Sequence, residues 1–122
     1  MRLHPIAEKL GFFVTLLAVV VLALLPILRL KEFGLDIGFH FDKVNHAIAF
    51  AALMVVGSLG WPERKMNVVI LLALVGAAIE ILQGTPLIGR DLDGFDWAAD
   101  CVGIGCALAA IGCANSLVRR AA

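Results

Sequence analysis

The stretch LGFFVTLLAVVVLALLPIL, residues 10–28, runs for 19 residues without a charge. A helix needs about 20 apolar residues to cross ~30 Å of hydrocarbon, so this run alone approaches a full span. Arg2 and Lys9 precede it in the manner of a signal peptide. The run exceeds the roughly 7–15 residues of a signal core, and no A-x-A cleavage pattern precedes Arg29. It therefore reads as a retained span. Pro26 falls in its last turn, where the hydrogen bond it removes costs least.

Three further apolar runs follow, at about residues 44–61, 66–83 and 97–118. Only Pro62, Glu63, Arg64 and Lys65 separate the second from the third, so those two form an antiparallel hairpin. In lipid a backbone must satisfy its own polar groups, and these runs are too long for barrel strands. Composition agrees: 61% of residues are hydrophobic and 16% charged, with a mean hydropathy of +0.98. Soluble domains average roughly 45–50% apolar and about 25% charged residues, and a small one cannot hide such an excess. The expected fold is all-α: one domain over residues 1–122, a compact bundle of four transmembrane helices. Ten basic residues balance ten acidic ones, which leaves no basic surplus for nucleic acid. The bilayer is the expected partner; oligomeric state is left open.

Orientation follows from Lys and Arg in the short loops. The N-terminal segment, the turn at 62–65 and the C-terminal segment share one side and hold Arg2, Lys9, Arg64, Lys65, Arg119 and Arg120. The other side holds Arg29, Lys31, Lys43 and Arg90. Six against four favours both termini in the cytoplasm. The acids are sorted the other way, with only Glu8 and Glu63 on the cytoplasmic side and eight at or towards the outer one. Trp61 and Trp97 fall at opposite interfaces, as an aromatic belt would place them.

Three helix faces carry the polar groups. Asp42 and His46 are four residues apart; Gly76, Glu80 and Gln83 are spaced by four and three; Asp96, Asp100, Gly103 and Ala107 repeat that spacing. Small residues continue the last two faces inward, where they let helices approach. Asp42, His46, Glu80, Gln83 and Asp100 are thus expected to converge at the outer boundary, with Lys43 and Arg90 at the rim and Asp96 close by. Acids at such depth are expensive unless partnered or protonated, and a proton shared between Glu80 and Asp100 is one expected solution. The alternative is a salt-bridge network that only clamps the bundle.

The same residues carry a family resemblance. Asp42-Lys43-Val44-Asn45-His46, then Phe50 and Leu53, resembles the DKxxH…F motif of the VanZ-like family of bacterial membrane proteins. Glu80-Ile81-Leu82-Gln83 resembles that family's ExxQ, and Arg90, Asp96, Asp100, Gly103 and Gly105 its R…D…(N/D)xxG segment. The three motifs stand in the family's order from Asp42 to Gly105. Ala47 and Asp100 depart from it, at positions where an aromatic and Asn are common. The resemblance implies a polytopic protein of the bacterial cytoplasmic membrane. The family is named for a protein associated with teicoplanin resistance and brings no established catalytic mechanism with it.

Other features read blandly. Cys101, Cys106 and Cys113 match no zinc or CxxC spacing and read as small buried hydrophobes. Asp91, Asp93 and Asp96, with His46 and Glu80, have some look of a cation site but lack the calcium-loop spacing, and the default is a solvated acidic loop. No metal or cofactor is assigned. Residues 29–41 alternate apolar positions with Gly or polar ones and suit an interfacial segment, either a lid or a headgroup anchor. Gly57-Ser58-Leu59-Gly60 suits close helix packing. The leading expectation is an envelope protein whose outer pocket binds a lipid headgroup, a lipid-linked precursor or an amphipathic, glycopeptide-type antibiotic. An enzyme acting on such a lipid, with Asp42, His46 and Glu80 as acid–base groups, and a structural or assembly subunit stay open.

Overall fold

The structure is a computed structural model that describes residues 5–24, 42–86 and 94–121. Helix accounts for 92% of them and no strand occurs among them, so the bundle contains little besides its helices and one tight turn. In chain order these are α1 (Pro5–Leu24), α2 (Asp42–Gly60), α3 (Lys65–Gln83) and α4 (Gly94–Ala121). Each is long and apolar enough to cross a membrane. The all-α, four-helix expectation holds.

The boundaries differ from the apolar runs for local reasons. α1 begins at Pro5, five residues ahead of the uncharged stretch, because proline suits a helix's first turn. Glu8, also in that turn, complements the positive end of the helix dipole. Pro62 cannot continue α2, and the hairpin closes through Arg64 N–H donating to the Trp61 carbonyl at 3.0 Å. α3 stops at Gly84, whose N–H donates to the carbonyl of Glu80 at 3.2 Å; Thr85 then caps Leu82 through its hydroxyl at 2.7 Å. At ~1.5 Å per residue, α4's 28 residues reach about 42 Å, beyond the hydrocarbon at one or both ends.

α2 and α3 occupy the middle and α1 and α4 flank them without touching each other among the described residues. The broadest interface joins α2 and α4, which run parallel because Lys43, His46 and Ala47 meet Asp96, Asp100 and Gly103 in that order. Phe12, Phe50, Leu53, Met54 and Leu72 form the centre of the core. Their long apolar neighbours point outward: Val14, Leu17, Ile48, Leu74 and Val118 are all more than half exposed. A water-soluble bundle would reverse that pattern, whereas lipid accepts it.

Close approach is set by glycine at two levels. A Cβ on Gly57 would lie 2.6 Å from Val68 Cγ1 and 3.1 Å from the Phe12 ring, so α1, α2 and α3 meet there at hairpin-turn depth. A Cβ on Gly103 would overlap the carbonyl oxygen of Ala47 outright. Trp61 closes the hairpin end in edge-to-face contact with Phe12 and Phe13, at centroid distances of 5.3 and 5.8 Å. Trp97, in the first turn of α4, donates its indole N–H to the Ala73 carbonyl midway along α3 at 3.0 Å.

Candidate functional site

At the end of the bundle opposite the 61–64 turn, α2, α3 and α4 bring ionisable side chains together. His46 is presented from the second turn of α2, Glu80 from the last turn of α3, and Asp96 and Asp100 from successive turns of α4. All four are buried, and Asp100 is fully so. The i, i+4 step from Asp96 to Asp100 points both at α2. Their registry is fixed by the tight crossing of Gly103 on Ala47 just below.

The tightest contact is between His46 Nδ1 and Asp100 Oδ1, at 2.7 Å. With Asp100 ionised the carboxylate accepts and the ring donates from Nδ1, and a neutral imidazole then carries its lone pair on Nε2. Asp100 Oδ2 receives no hydrogen bond from the described residues. It lies against α3, where a Cβ on Gly76 would come within 2.8 Å of it. Gly76 is thus the residue that admits the carboxylate, one turn before Glu80 on the same face. Lys43 Nζ lies 3.4 Å from Asp96 Oδ1, its side chain 54% exposed while that of Asp96 is 6% exposed. A cation at the rim therefore reaches down to a buried acid.

A ring nitrogen of His46 and one oxygen each of Glu80 and Asp96 lie within 4.8 Å of one another. This set has the donor types and the proximity to hold a metal ion, one ligand from each of three helices.

The expected convergence is met by His46, Glu80, Asp96 and Asp100, with Lys43 at the rim. Gln83 is buried as well, but its amide nitrogen donates to the Ala23 carbonyl at 2.8 Å and so ties α3 to the last described turn of α1. Among the described residues Asp100 is hydrogen-bonded to His46. Arg90, Asp91, Asp93, the 29–41 segment and the side chain of Asp42 lie outside the described residues. Of the cysteines, Cys106 and Cys113 are exposed on α4 and Cys101 is half-buried, so the expectation of buried hydrophobes fails for the first two: among the described residues no helix packs over that face. Spacing missed the bond from Trp97 to a backbone carbonyl, which no side-chain pattern announces.

No family model, no curated protein and no solved structure matches the chain. The VanZ-like reading therefore rests on the three motifs alone.

Proposed function

We propose that the chain is a VanZ-like protein of the bacterial cytoplasmic membrane with both termini in the cytoplasm. Its outer polar end binds the headgroup of a lipid, a lipid-linked precursor or an amphipathic glycopeptide-type antibiotic. The observation that carries this reading is the gradient from a half-exposed Lys43 to the buried Asp96, with Glu80, His46 and Asp100 beneath. Four buried ionisable groups at a membrane-helix end are costly and mark a functional site by default. Apolar side chains flank them outside, with Val44, Ile81 and Phe95 more than half exposed. A ligand with an acyl part and a head bearing phosphate and amine groups would match both. Lys43 would meet the anionic group and the acids the cationic one.

The test is binding of fluorescent anionic and zwitterionic lipids to the chain in nanodiscs. Lys43→Gln and Asp96→Asn are expected to weaken binding several-fold. Equal binding by the wild type and both variants would remove the reading. Orientation rests on the six-to-four distribution of basic residues. Reporters after Ala122 are expected to read cytoplasmic and those within residues 84–95 external; a cytoplasmic signal from the latter would overturn it.

A second reading, an enzyme acting on such a lipid, is favoured by the His46–Asp100 pair. A buried carboxylate on Nδ1 orients an imidazole for proton transfer at Nε2. Turnover of a lipid that vanishes in His46→Gln while binding persists would select it.

A further inference from the structure

We propose that His46, Glu80 and Asp96 form a binding site for a divalent transition-metal cation such as zinc, with Asp100 holding the histidine in position. The three ligand atoms come from three helices, are buried, and already lie within 4.8 Å of one another. Imidazole nitrogen with carboxylate oxygen is a donor set that zinc and its first-row neighbours accept.

The independent observation is Asp100. Metal-bound histidines almost always donate their other ring N–H to a carboxylate, which fixes the tautomer and raises the basicity of the bound nitrogen. The Nδ1 to Oδ1 contact of 2.7 Å matches that arrangement. Asp100 is 0% exposed, and its second oxygen receives no hydrogen bond from the described residues. That oxygen is pressed into the cluster beside Gly76, one turn from Glu80. A buried carboxylate used at only one oxygen is expensive as plain structure. As the outer support of a cationic centre it is stabilised by the ion's charge.

Geometry sets one requirement. Bonds of about 2.0–2.2 Å in a tetrahedral site separate ligand atoms by roughly 3.4 Å, so the widest pair must close by up to about 1.4 Å on binding. Carboxylate rotation in Glu80 and Asp96 supplies such a movement. Lys43 then acts as a competitor for Asp96, and its half-exposed side chain can withdraw towards solvent. Three protein ligands leave a fourth position for water or an oxygen of an incoming ligand. The inference stands on these three side chains and does not require the lipid-headgroup reading.

The test uses the full chain, purified in detergent, stripped with a chelator and titrated with Zn²⁺ and then Co²⁺. One equivalent per chain is expected, and the Co²⁺ form should show the visible absorption of a four-coordinate site with nitrogen and oxygen donors. His46→Gln and Glu80→Gln should abolish binding while retaining helicity by circular dichroism. Asp100→Asn keeps all three ligands and should weaken affinity by roughly 10–100-fold. Lys43→Ala should bind at least as tightly as the wild type. Absence of stoichiometric Zn²⁺ in the wild type would overturn the site, as would affinity unchanged in Glu80→Gln. The Co²⁺ spectrum decides without requiring any variant to fold. Headgroup binding that survives chelation in a chain that takes up no zinc would overturn the metal site alone. Zinc uptake without headgroup binding would overturn the lipid reading alone.

Discussion

At position 100 a carboxylate is held where water does not reach, on a single imidazole donor. Hydrogen bonds to a charged group contribute roughly 1.5–3 kcal/mol, and removing one partner also strands the other. Asp100→Ala is therefore expected to destabilise the bundle by about 2–3 kcal/mol, and Asp100→Asn by less, since its amide oxygen still accepts from Nδ1. Unfolding in mixed micelles with increasing sodium dodecyl sulfate measures both; equal losses would show that the His46 bond contributes nothing. Ser58 presents the opposite case. Its side chain is buried, and its hydroxyl oxygen has no hydrogen-bond partner among the described residues. Ser58→Ala is expected to raise stability by up to ~1 kcal/mol in the same assay, because it removes an unsatisfied polar group and leaves the helix intact.

Between elements, the α2–α4 crossing depends on the absence of a side chain at residue 103. Gly103→Ala would drive a methyl group into the Ala47 carbonyl, which is backbone and cannot swing away. A loss of roughly 1–3 kcal/mol is expected from such overpacking, together with loosening of the His46–Asp100 pair one turn away. Gly105→Ala is the control, since a Cβ there meets nothing within 4 Å, and it should be neutral or slightly stabilising. Much at this scale was legible in advance. The four-and-three spacing selected Gly76, Glu80 and Gln83 on α3 and Asp96, Asp100, Gly103 and Ala107 on α4, and all of them are buried. Periodicity reports the face of a helix, however, and not the neighbour that face meets. Gln83 shares its face with Glu80 yet serves α1, because its partner there is a backbone carbonyl, which leaves no mark in the sequence. Hydropathy revealed the four helices readily, since crossing a membrane demands only length and composition.

For the whole molecule, four crossings would put residues 5 and 121 on one side of the membrane. Reporters fused at the two ends should give the same readout, and opposite readouts would reduce the crossings to an odd number. Among the described residues α1 and α4 do not touch; the cluster is built by α2, α3 and α4, and α1 is attached to them through Gln83 and the aromatic contacts around Trp61. The separation of His46 from Asp100 by 54 positions sets a schedule for biosynthesis. At about 5–20 residues per second, the imidazole leaves the ribosome roughly 3–10 s before the carboxylate that will hold it. For the last 20 of those residues, about 1–4 s, α2 and α3 stand as a hairpin with His46 and Glu80 facing an absent neighbour, in a setting that tolerates few uncovered polar groups. Chains halted before residue 94 should therefore be cleared faster in a pulse–chase than chains carrying α4, and a hairpin as long-lived as the full chain would contradict this. The last helix to be made acts as a quality-control checkpoint: until it arrives, the cell holds a nascent chain whose costliest residues advertise that assembly is unfinished.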